Sequence, residues 1–179
     1  MKIGQLSIGG GAMRSPLMRH IPRRYWHHVL RWGFNFYPSY RTIGARVERI
    51  DPDLRRIVVR LPHTWRTRNP AGATFGGALY AAADPMFAVM LAYNLPERTV
   101  VWDKAASIRY RRPGRTTLWA EFVLPETVLE TVAHELVTVG RSEPTFVAVW
   151  RDEEGLEYTT VEKTVFVATP EYMRARQTA

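Results

Sequence analysis

The stretch Asn69-Pro70-Ala71-Gly72-Ala73-Thr74-Phe75-Gly76-Gly77, continuing through Ala78 to Tyr93 with Asp84 in its middle, decides how this chain is read. A loop of turn-forming residues delivers two glycines to the start of an apolar helix. A helix start offers free backbone N–H groups to anything negative or polarised. Further along, one carboxylate sits among alanines and large apolar side chains, where it is costly unless paired or hydrogen-bonded. Donors for a carbonyl oxygen, with an acid/base or nucleophile nearby, make a small electrophile-binding site. An ionised Asp84 needs a donor of its own, and Asn69, a neighbouring arginine and Lys104 are the candidates. Pro85 cannot donate and clashes with the Ala81 carbonyl, so a kink is expected there. The alternative is structural: Asp84 caps a fresh helix that begins at Pro85.

Outward from that helix, the chain alternates helix and paired strands. Ser15 to Phe36 reads as an interrupted helix with Pro22 as the break. Thr42–Ile50 and Arg55–Leu61 read as a hairpin turned by Asp51-Pro52-Asp53. Val100–Arg112 reads as a long strand closed by Pro113-Gly114, and Thr116–Leu124 as the next strand. Pro125–Gly140 places Val128, Leu129, Val132 and Leu136 on one helical face, with Gly140 as its stop. Thr145–Arg151 and Leu156–Ala168 form a closing hairpin, and the tail from Thr169 is expected to fray. Short turns between strands imply an antiparallel sheet, and one sheet around one apolar helix is an α+β architecture.

Composition narrows the function. The 179 residues suffice for one domain with a real core, expected over 15–179 after a flexible 1–14 segment. There is no cysteine, which excludes disulfides, thiolate metal sites and cysteine nucleophiles. His27 and His28 point apart on a helix, and His63 and His134 stand alone, so no metal site and no cofactor is expected. No Gly-x-Ser-x-Gly elbow occurs. The net charge is +8, carried almost wholly by arginine. Arginine forks suit phosphate oxygens, so the partner is a phosphorylated small molecule such as a coenzyme A ester, an anionic membrane surface or a nucleic acid, or the charge is simply solvated. No basic run with interleaved aromatics makes a nucleic-acid module, and none is expected to bind. With no signal-peptide-like run and no long apolar stretch, the expectation is a cytoplasmic protein without a membrane span.

Two motifs carry a family resemblance. The first is Asn69, Gly72, Phe75-Gly76-Gly77 and Asp84 at their observed spacing. The second is Ser107-Ile108-Arg109-Tyr110-Arg111-Arg112-Pro113-Gly114. Over roughly Arg41 to Ala168 they resemble the hotdog thioesterase superfamily, in particular the phenylacetate-pathway acyl-CoA thioesterases and their uncharacterised relatives. The resemblance implies an antiparallel sheet wrapped around a long central helix, here with an N-terminal helix and an inserted helix near 125–140. It implies hydrolysis of an acyl-CoA-type thioester, with Asp84 as catalytic carboxylate, Gly76 N–H as oxyanion donor and Asn69 orienting water or carbonyl. Phe75, Gly77 and Gly72 would line the substrate. Asp103 and Lys104 would enter from the partner subunit of a dimer or dimer of dimers. Phe75 stands where the family has histidine, and it cannot donate a hydrogen bond. Two alternatives therefore stay open: a non-catalytic acyl-ligand binder, and an interaction protein with a basic anion-binding surface.

Overall fold

The computed structural model describes residue 18 and residues 20–178. The expected segment 1–14 and the first residues of the N-terminal helix lie outside the described residues. After a 3-10 turn at Arg23–Tyr25, helix α1 runs Trp26–Phe36, beginning beyond Pro22 as that residue demands. A short α2 (Pro38–Thr42) follows, where a strand was expected to begin. Pro38 occupies its first turn, and the buried Tyr40 donates its hydroxyl to the Ala82 carbonyl. The first strand therefore starts only after Gly44, which turns at φ +73°.

Strands β1 (Arg46–Ile50), β2 (Arg56–Leu61), β3 (Val100–Tyr110), β4 (Leu118–Val123), β5 (Arg141–Ser142), β6 (Thr145–Arg151) and β7 (Glu157–Ala168) make one antiparallel sheet. Its order is β1-β2-β4-β6-β7-β3, with β5 on β7. β3 is thus an edge. Its pairing with β7 carries a bulge: Asp103 faces Val165 but Ala105 faces Thr164, leaving Lys104 as the extra residue. Side chains alternate along a strand, so one extra residue reverses the parity beyond it. Residues 103 and 110, an odd number apart, consequently lie on the same face.

The central helix is two helices, α3 (Gly76–Ala83) and α4 (Met86–Asn94), broken at Asp84–Pro85. Every residue of α4 from Met86 to Tyr93 is buried. Phe87 stacks on Phe146 with centroids 4.5 Å apart and meets Phe122 edge-on at 5.2 Å. Packing of this kind in a dense interior is what anchors the sheet to the helix. Helix α5 (Glu126–Thr138) is the inserted helix; its β-branched content is overridden by burial of Val132 and Leu136. The tail does not fray. It forms α6 (Pro170–Thr178), opened by the Thr169 hydroxyl accepting from the Tyr172 N–H at 3.2 Å, with Pro170 at the first helical position. Among the described residues, no helix is long and apolar enough to cross a membrane.

Candidate functional site

The loop before α3 is held by its own polar groups. Asn69 N–H donates to the Ala73 carbonyl at 2.8 Å, and Asn69 Oδ1 accepts from the Ala73 N–H at 3.1 Å. Gly72 turns the loop at φ +78°, a conformation glycine adopts without a Cβ penalty. Phe75 N–H and Thr74 N–H are tied to the carbonyls of Thr67 and Gly114. The chain therefore enters α3 along a fixed path. Among the described residues, the N–H groups of Gly76 and Gly77 have no hydrogen-bond acceptor, as the first turn of a helix requires. They open on a cleft of about 580 Å³. Its walls bring the two sequence motifs together: Asn69, Phe75 and Gly76 on one side, Tyr110 to Gly114 on the other.

Glycine is needed at the helix start for close approach. A Cβ at Gly76 would stand 2.6 Å from the Tyr110 hydroxyl, and one at Gly77 would stand 2.5 Å from the Phe75 ring. Tyr110 and Phe75 thus pack against Gly76 and Gly77 where side chains would otherwise stand. The Thr159 hydroxyl, on a buried residue of the same cleft, has no hydrogen-bond partner among the described residues. Asn69 has committed its side-chain oxygen to the loop, so its Nδ2 group is the half that can still donate.

Asp84 lies eight residues beyond Gly76. At about 1.5 Å of rise per residue, that is roughly 12 Å along the axis. It does not line the cleft. Nor does it cap α4, whose start has no side-chain cap. Its carboxylate instead meets Lys163 Nζ at 3.1 Å. Lys163 projects from β7, is 0% exposed, and also donates to Asp103 Oδ2 at 2.6 Å and to the backbone carbonyl of Asp84. Its three ammonium protons thus have three oxygen acceptors, which is what a buried charge requires. Asp84 itself is not sealed in the interior, since its side chain is 46% exposed. The apolar sequence around it concealed that.

Burial pushes the Asp103 carboxyl above the usual aspartate range; Lys163 pulls against this without offsetting it, and the Asp84 charge adds to the rise. The Asp103 Oδ1 atom is buried without a hydrogen-bond partner among the described residues. Tyr80 is raised by burial first and by the nearby charge of Asp84 second. Tyr40 is raised well above its ordinary value, again by burial first and Asp84 second.

Of the residues singled out in the sequence, Asn69, Phe75, Gly76 and Gly77 line one cleft, and Gly72 shapes the loop behind them. Asp84 and Asp103 belong to a second group within the same chain. Lys104 is not in it: as the bulge residue it turns outward to Glu143, 2.6 Å away. The donor that Asp84 needs is Lys163, which sequence reasoning missed. A signal was present. Thr159, Val161, Lys163 and Val165 share the inward register of β7, and a lysine in that row is buried by alternation alone. Among the described residues, no three metal-ligating side chains gather at one point.

Residues 27–167 match the family described as a domain of unknown function, DUF4442. No curated protein matches the sequence. A Pseudomonas aeruginosa protein of unknown function, described as a probable thioesterase, superposes with a TM-score of 0.71 at 18% identity, over 79% of this chain and 94% of the other. A Haemophilus influenzae thioesterase gives 0.58 at 17% identity, over 78% and 88%. The PaaI protein of the E. coli phenylacetic acid degradation operon gives 0.54 at 14% identity, over 80% and 91%. At such identities the likeness is one of fold, and the fold is the hotdog: an antiparallel sheet around a central helix. The chain belongs to the DUF4442 family, a hotdog-type domain.

Proposed function

We propose that the protein hydrolyses a thioester of the acyl-CoA type, in a site completed by a second copy of the chain. One observation carries this reading. The helix whose unpaired first amides open on a cleft also fixes a half-exposed carboxylate on a fully buried ammonium. The Gly76 N–H, with Gly77 behind it, takes the thioester carbonyl oxygen as it gains negative charge. Asn69 donates from Nδ2 to the same carbonyl. The Tyr110 hydroxyl, poised over Gly76, supplies the side-chain donor that Phe75 lacks. Asp84 draws a proton from water as it adds to the carbonyl carbon, or attacks that carbon itself to give an acyl-aspartyl anhydride that water then cleaves to the acid and the free carboxylate. The C–S bond breaks, and the thiolate leaves as free thiol once protonated. Arg111 and Arg112, on the rim, suit the coenzyme's phosphates.

Within one chain the amides and the carboxylate stand too far apart to act on one carbonyl. The edge strand β3 offers the remedy. Its row of backbone groups is open on one side, and residues 104–107 are exposed. Antiparallel pairing of two β3 strands about that exposed middle sets the Asp103 end of each beside the Tyr110 end of the other. Asp84 of one copy then approaches the cleft of its partner.

The test is thiol release from a panel of acyl-CoA esters. Wild type should turn over at least one, and Asp84→Asn should lower the rate by about a hundredfold or more without altering the fold. Retention of an acyl-CoA ligand with no release by either form would replace the enzyme with a binding protein, the role Phe75 over Gly77 would suit. The pairing has its own check. Because the chain has no cysteine, Ser107→Cys introduces a single thiol, and mild oxidation should give a covalent dimer. A chain that remains monomeric at high concentration would remove the second copy.

A further inference from the structure

The end of α1, the start of α2 and the loop after β2 build a second surface, with its own lining residues. Trp32, Phe36, Tyr37 and Trp65 are between 57% and 75% exposed there. Large aromatics left in water together mark a contact surface, whereas single ones do not. Two shallow clefts of about 650 and 530 Å³ lie among them and share Phe36 and Arg41, so the surface is continuous. It is also basic. Arg31, Arg41, Arg46 and Arg66 line it, and none of them has an ion pair among the described residues. The one acidic side chain in either cleft, Glu48, is already held by Arg60 at 3.6 Å and by the Trp119 indole N–H at 3.1 Å.

We propose that this face docks on a membrane surface of anionic phospholipid, with the aromatic rings at headgroup depth and the arginines on lipid phosphates. Mixed aromatic and cationic side chains gathered on one exposed surface are what such an interface binds. Charge complementarity selects it over a second copy, because a two-fold pairing of this face sets unpaired arginines against one another. The rings select it over nucleic acid. Bases need open ring faces, yet Trp32 and Phe36 stack on each other with centroids 5.6 Å apart. The Arg66 guanidinium covers Trp65 at 5.2 Å. One face of each of these rings is thus already occupied, and the rest of each suits immersion. This docking does not depend on the thioesterase reading.

The experiment is co-sedimentation of the full chain with vesicles of phosphatidylcholine alone and with about 30% phosphatidylglycerol added. Binding to the anionic vesicles should exceed binding to the neutral ones by at least about tenfold and shift tryptophan emission to the blue. It should weaken steeply between about 0.1 and 0.5 M salt. Arg41→Glu with Arg66→Glu should cost about twentyfold or more, at roughly fivefold per lost charge. Phe36→Ser with Trp65→Ser should abolish the blue shift while circular dichroism stays unchanged, since these side chains are largely solvent-exposed. Equal binding to both vesicle types, indifference to these variants, equal affinity for a single-stranded oligonucleotide, or loss of a dimer in Phe36→Ser/Trp65→Ser would each overturn the proposal.

Discussion

The two halves of the central helix are built to opposite rules. Helix α4 is buried from Met86 to Tyr93 and packs its Phe87 against Phe122 and Phe146. Helix α3 is short and alanine-rich, opens on a cleft at one end, and hands the chain to an ion cluster at the other. Pro85 is the divider. By refusing an intrahelical hydrogen bond it breaks the helix where the Asp84 carbonyl accepts from Lys163. Stability is concentrated in one half, and the groups capable of chemistry in the other. The largest effect that tests this division is Phe87→Ala. Emptying a fully buried aromatic site should cost about 3–5 kcal/mol in denaturant unfolding. Thiol release per folded molecule should stay within a few-fold of wild type. Equal losses of stability and turnover, measured where the variant is still folded, would erase the distinction.

Lys163→Met should come next, at about 2–3 kcal/mol. Breaking a fully buried ion pair typically costs about 3–5 kcal/mol, and the partial exposure of Asp84 and Asp103 reduces that here. The pH dependence identifies the cause. Asp103 is raised in the folded protein, so folding favours its protonated form. Its contribution is full below the ordinary aspartate value near 4 and is lost as pH rises through the raised value. Removing Lys163 takes away the influence that pulls Asp103 down and extends that loss upward in pH. The deficit of Lys163→Met should therefore grow from acid towards neutral pH. A deficit that does not change between about pH 3.5 and 7 would mean that lost packing, not lost charge, explains it.

The same contrast explains what the sequence could and could not reveal. The α+β architecture was legible because period and punctuation agreed: β6 occupies its expected residues, and Gly140, at φ +80°, follows α5 as its stop. The loop–helix motif was legible because glycines, Asn69 and helix start are adjacent in the chain. The ion cluster was not, because its members come from a helix break, an edge strand and the last strand, 79 and 60 residues from Lys163. Nothing local says that Asp103 shares a face with Tyr110; that follows from the bulge at Lys104, which only the pairing of β3 with β7 reveals. The α6 helix was missed for a simpler reason, since Thr169-Pro170-Glu171 is a helix start that was passed over.

The smallest effect is expected at Lys104, and it sharpens the comparison most. Lys104 and Lys163 each donate to a carboxylate at 2.6 Å, so a distance alone would rank them equal. Their surroundings differ. Lys104 is half exposed and its partner Glu143 a third exposed, so water and salt screen the pair and leave it contributing little. Lys163 has no water to fall back on. Lys104→Met should therefore leave the denaturation midpoint almost unmoved, and any small loss should vanish in about 0.5 M salt. The bulge should persist, because the register of β3 is set by inward-facing Val101, Asp103 and Ile108 and not by the outward lysine. If Lys104→Met instead matched Lys163→Met in cost, the bulge would depend on the lysine, and the shared face of Asp103 and Tyr110 would depend on it too.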